Sequence, residues 1–181
     1  MNILLIKKRQ TGIVLVISLI MLLLLTIIGV TAMRVTGLEE KMTGNYRNGA
    51  LAFQASESAL RDAEAWISSR VVEPEWNNTG SNNIWTLNIM DPDDSNSSGW
   101  WSERDDAWWQ ANATVFSGSA LSVVRDPRYI IEHKQHIPDT LVIGSGGAAG
   151  EGNTYYQVTA KGTGGTTQSQ VLLQSITVRR Y

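Results

Sequence analysis

Cysteine is absent from the 181-residue chain, which excludes disulfides, thiolate zinc sites and thiol nucleophiles together. A basic excess is absent too: 15 Lys and Arg stand against 17 Asp and Glu. Without Lys7, Lys8 and Arg9 the balance is 12 against 17, a net charge near −5. A nucleic-acid-binding protein would show a basic patch or stripe instead, so no nucleic-acid partner is expected. Catalytic constellations are also missing. His133 and His136 are three apart in a predicted strand, where alternation sends side chains to opposite faces, a poor metal pair. No serine sits in a nucleophile elbow, and the acids are scattered through polar loops. The glycine-rich stretch 142–154 lacks the spaced lysine and Ser/Thr of a P-loop and has no helix after it. The chain reads as a non-enzyme that needs no cofactor.

Charge is absent from Ile13 to Met33 as well, and that absence organises everything else. These 21 residues span about 30 Å as a helix, the thickness of a bilayer's hydrocarbon. In lipid the backbone must satisfy its own polar groups, so the segment is helical. Lys7, Lys8 and Arg9 immediately before it place the N-terminal side in the cytoplasm. A cleaved secretory signal has a shorter apolar core followed by a small-residue cleavage site, and neither feature is present. An uncleaved signal anchor and a leader cut ahead of the apolar run both remain open.

After Met33 the chain turns amphipathic. Leu38, Met42, Tyr46, Gly49, Phe53, Leu60, Ala63 and Ile67 fall near multiples of 3.6, with charges over much of the remainder. Glu57 and Arg61 form an i,i+4 pair, acid first. Pro74 and Asn77 to Gly80 end the helix by about Arg70. A helix from Ile13 to Ser69 is about 85 Å long, more than a domain of this size needs for its own core. Its proximal half must therefore pack on lipid or on other copies. Gly29, Gly37, Gly44 and Gly49 weaken it by about 1 kcal/mol each relative to alanine. Thr36 with Glu39 offers a capping box. Either a soft segment lies between Gly29 and Leu38, or the helix runs unbroken with tolerated glycines.

Val71 to Arg104 reads as loop, with a short strand at 84–90. Trp100, Trp101, Trp108 and Trp109 are candidate partner or carbohydrate anchors; the commoner fate of such residues is to cover a small core. Asp91, Asp93, Asp94 and Asn96 offer oxygens at short spacing, but an EF-hand needs glycine sixth and glutamate twelfth. Asn96 and Ser102 stand there, which favours a solvated acidic loop over a metal site. Strands are expected at 128–137, 155–162 and 170–180, the last two joined by a Thr-Gly-Gly-Thr-Thr turn as a hairpin. Tyr156, Val158 and Ala160 alternate on one strand, and Leu172, Ile176 and Val178 on the next, ready to bury the helix stripe. The fold class is α+β: one very long N-terminal helix packed on a C-terminal antiparallel sheet.

These residues also carry a family resemblance. RQTGIVLVISLIMLLLLTIIGVTAMRVTGLEEKMTGN, continuing to LAFQASESALRDAEAWI, resembles the N-terminus of PilX-type minor pilins of the type IV pilus. YYQVTAKGTGG and VLLQSITVRRY resemble that family's closing hairpin, whereas 71–127 adds nothing to the likeness. The resemblance implies a pilin-like fold and four regions. These are a leader, 1–12, cleaved by prepilin peptidase after Gly12; an apolar assembly helix, 13–35; an amphipathic helix, 36–70; and a globular domain, 71–181. It implies N-methylation of Ile13 and storage in the inner membrane of a Gram-negative bacterium with the domain periplasmic. Incorporation into a pilus follows, with other minor pilins, the major pilin and a tip adhesin as partners. The usual pilin glutamate at the fifth mature position is replaced by Ile17. In the family picture that carboxylate compensates the N-terminal amine of the preceding subunit, so its lack implies a tip position and a role in priming assembly. Pseudopilins at the tip of type II secretion share this lack and stand as the alternative machine. A signal-anchored binding module outside the cytoplasm is the alternative from another class.

Overall fold

The computed structural model describes residues 12–93, 95–116, 118, 122–139 and 151–181. Residues 1–11 of the leader and most of the glycine-rich stretch thus lie outside the described residues. Two compact units meet between Gly44 and Asn45, and helix α1, Ile13–Ser68, contributes to both. Within the first unit α1 is unbroken through Gly29 and Gly37. The Thr36 hydroxyl donates to the Ala32 carbonyl (3.1 Å) and so does not cap a new helix.

The second unit is built on a five-stranded sheet. Its strands are β1 (Ile84–Trp85), β2 (Thr114–Val115), β3 (Arg128–Pro138), β4 (Gly152–Thr163) and β5 (Gln170–Arg180). The order is β1-β3-β4-β5, with β2 also paired to β3. Every pairing is antiparallel except β1 with β3. The expected hairpin is present as β4 and β5, and the expected third strand as β3. The expected strand at 84–90 is only two residues long. Asn88 adopts a left-handed conformation (φ 65°) and its carbonyl accepts from the Asp91 N–H, so a turn replaces the strand's continuation.

In this unit the expected stripe of α1 is buried at Ala63 and Ile67, with Leu60 against the core, and departs from the packed face at Tyr46 and Phe53. Ala52, Ala55, Ser56, Ala59, Ala63 and Ile67 are its buried residues, whereas Tyr46 and Phe53 are exposed. Small side chains let the helix backbone come down onto β4. A Cβ on Gly162 would sit 2.5 Å from Ser56 Oγ and closer still to Ala52 O and Ser56 N, so glycine is required there. The Ser56 hydroxyl reaches Val171 O at 2.7 Å, tying the helix to β5.

Beneath the helix, Ala59, Ala63 and Ile67 share a core with Ile84, Tyr129, Ile131, Tyr156, Val158 and Ala160. The β4 alternation therefore holds. That of β5 does not: Ser175, Thr177 and Leu173 pair with Val158, Tyr156 and Ala160, which puts Leu172, Ile176 and Val178 on the far face. Ile176 and Val178 are exposed there. Two of the helix-facing positions are polar, and Glu64 of α1 accepts from both, from Ser175 Oγ (2.8 Å) and Thr177 Oγ1 (3.4 Å). On the far face a second cluster gathers Trp85, Met90, Trp109, Ala113 and Ile130, with Leu172 against it.

Candidate functional site

The first unit presents an uncharged apolar surface from Ile13 to Met33. Residues 12–44 are all exposed, Ile13 at 63 % and Ile17 at 52 %. The most apolar window of α1 has a mean hydropathy of 3.2 and no buried residue. Its few hydroxyls bond back within the helix: Ser18 to Leu15 O (2.9 Å), Thr26 to Leu23 O and Thr31 to Ile27 O (both 2.8 Å). Such a helix can lie in hydrocarbon, or against other apolar helices, with no unsatisfied polar side chain. Gly12, the first described residue, precedes α1 in a turn and its carbonyl accepts from the Leu15 N–H (3.2 Å).

The four candidate tryptophans divide between two short helices, α2 (Trp100–Glu103) and α3 (Asp106–Asn112), where a loop was expected for the first. Asp105 caps α3 by accepting from the Trp108 N–H at 2.8 Å. Trp109 is buried at 2 % exposure, and Trp108 lies half-buried beneath the Arg104 guanidinium, 4.5 Å from its ring. Trp100 is half-buried, and Trp101, 62 % exposed, is the one displayed to solvent. Asp106 ties α3 to the sheet through an ion pair with Lys161 and another with Arg125 (2.9 Å). The Lys161 hydrogen bond holds the Asp106 carboxyl below its ordinary range.

In the acidic loop, Asp94 lies outside the described residues. Asp93 accepts from Ser95 Oγ (2.6 Å), while Asn96 donates to Glu103 (2.8 Å) and accepts from the Ser98 N–H (2.6 Å). Asp93 and Asn96 thus spend hydrogen bonds within the loop, whereas Asp91 Oδ1 is buried without a hydrogen-bond partner among the described residues. Glu132, which no sequence pattern marks, is wholly buried on β3 and accepts from Met90 N–H (3.3 Å) and Gln157 Nε2 (3.2 Å). Burial pushes its carboxyl above the usual carboxylate range. The acids are therefore not all in solvated loops.

The two histidines require a correction. They do not face opposite sides of the sheet, because the β3–β4 register shifts between His133 and Gln135. The extra residue, Lys134, restores both rings to one face. His133 Nε2 lies 3.7 Å from Glu73 Oε1, and His136 Nδ1 lies 3.7 Å from Glu73 Oε2. Among the described residues no group of three or more His, Asp or Glu has the arrangement of a metal site.

Comparison with known proteins covers most of the chain with two family models. A family model described as PilX N-terminal matches residues 11–61, and one described as Type IV pilus assembly protein PilX C-term matches 68–179. No curated protein and no solved structure matches the chain.

Proposed function

Because the chain belongs to the PilX family of type IV pilus assembly proteins and is a minor pilin, we propose that it primes assembly from the filament tip. The observation that carries this reading is Ile17, exposed on the apolar helix one turn from Ile13. A pilin helix packed among others buries an N-terminal amine, and burying a charge unpaired costs several kcal/mol. A neighbour's carboxylate one turn into its own helix can offset that cost. Ile17 has no carboxylate, so this subunit fits where no earlier amine awaits compensation. The leader is cut after Gly12 and Ile13 is methylated. Before assembly the globular domain is periplasmic, and in the filament it meets other minor pilins and an adhesin, with Trp101 as the exposed aromatic anchor.

The test is the mass and N-terminal sequence of the protein from membranes and from sheared filaments. A start at methylated Ile13, with trace amounts in filaments, is expected. Intact Met1 found only in membranes overturns the proposal. Ile17→Glu supplies the missing carboxylate and should raise the number of copies per filament, because the subunit then tolerates positions along the shaft. An unchanged copy number refutes the charge argument.

A further inference from the structure

The chain has only two histidines, and both converge on Glu73, which lies just past the end of α1. Their side chains are 11 % and 17 % exposed, and that of Glu73 is 13 % exposed. Thr154 Oγ1 lies 2.8 Å from Glu73 Oε1 and 2.8 Å from His136 Nδ1. A threonine hydroxyl has one hydrogen. With that hydrogen given to the carboxylate, His136 must donate from Nδ1, which fixes its tautomer. His133 Nε2 is buried with no hydrogen-bond partner, and the Trp76 ring stacks on its ring at 3.7 Å and 3°. Residues 73–76 are thus held to β3 and β4 by one carboxylate and one indole.

We propose that this cluster is a proton-operated latch worked by His133: with that imidazole neutral it holds residues 73–76 on the sheet, and acidification releases them. The charges around it set the direction. Glu73 and Arg70 face it from the segment at the end of α1, His133 and His136 from β3, Tyr156 from β4, and Arg179 and Tyr181 from β5 and the residue after it. Glu73 is the carboxylate of this set, and Arg70 and Arg179 are the cations near Tyr181. A proton on His133 adds a cation in a site with little water. Burial is the largest influence on His133 and holds its ring below the usual histidine range, with His136 pushing the same way and Glu73 opposing. The released segment therefore takes up protons more readily than the held one. The hold is complete above the ordinary histidine range of about 6.5 and weakens as pH falls below it. Histidine is the side chain whose ordinary titration falls in this window.

Hydrogen exchange of the full-length chain in detergent micelles at pH 7.5 and pH 5.5, corrected for intrinsic rate, tests the latch. Protection of amides in 69–83 should fall about tenfold at pH 5.5, the effect of one unit below a titrating group, while β4 and β5 stay protected. His133→Phe keeps an aromatic ring for Trp76 and cannot titrate, so it should retain protection at pH 5.5. Equal protection of the native segment at both pH values overturns the proposal and needs no variant. So does a loss shared by β4 and β5, which is global unfolding, or a loss that persists in His133→Phe.

Discussion

Replacing Gly162 by alanine tests how closely α1 lies on the sheet. The new methyl would meet Ala52 O, Ser56 N and Ser56 Oγ at 2.5 Å or less. Carbon–oxygen contacts normally exceed about 3.2 Å, so the helix must rise by about 1 Å, and overpacking of this kind costs about 1–3 kcal/mol. The same movement stretches the 2.7 Å bond from Ser56 Oγ to Val171 O, worth about 1 kcal/mol. Together the loss is about 3 kcal/mol. At about 2–4 °C per kcal/mol for a chain of this size, the melting temperature should drop by about 6–12 °C. Gly49→Ala is the control, since nothing lies within 4 Å of its added Cβ. There helix propensity alone acts and should stabilise by about 0.5–1 kcal/mol. Tryptophan fluorescence during thermal unfolding of the full chain in detergent reads both. A Gly162→Ala protein as stable as the native one would refute the small-residue seam.

The remaining predictions separate structural residues from displayed ones. Trp109→Ala should cost about 3–5 kcal/mol in urea unfolding, because it empties the second core cluster, whereas Trp101→Ala should stay within about 0.5 kcal/mol and act on partners instead. Asp106 has its carboxyl held below the ordinary range, first by Lys161, so its contribution is present above the unfolded value of 3.8 and lost as pH falls through the lower folded value. Asp106→Asn should therefore destabilise at pH 7 and by progressively less as pH falls below 3.8, as acid titrations of the melting temperature would record.

What the sequence made legible follows the range of each interaction. The apolar run, the helix that continues it and the β4–β5 hairpin all rest on local periodicity and turn chemistry, which a single strand or helix expresses by itself. The seam between α1 and the sheet was legible only in part. The expected stripe held at Ala63 and Ile67, but at Tyr46 and Phe53 it marked a face that the structure exposes, whereas the alanines at 52, 55 and 59, outside that stripe, pack because they are small. Hydrophobicity ranks a phenylalanine above an alanine, but close approach to β4 reverses that order.

The β5 parity and the histidine pair show a second reason. Leu172, Ile176 and Val178 alternate as a core face would, and Ser175 and Thr177 as a solvent face would. Glu64, more than a hundred residues away, inverts the assignment by accepting from both hydroxyls. At His133 and His136 the alternation rule was sound, and one inserted residue, Lys134, cancelled it. Glu73 carried no mark at all, because its role depends on that bulge lying beside the end of α1. A pattern rule reads the side chains of one element. The helix seam, the β5 face and the Glu73 cluster are each decided by a partner on another element, so they become visible only when both are placed.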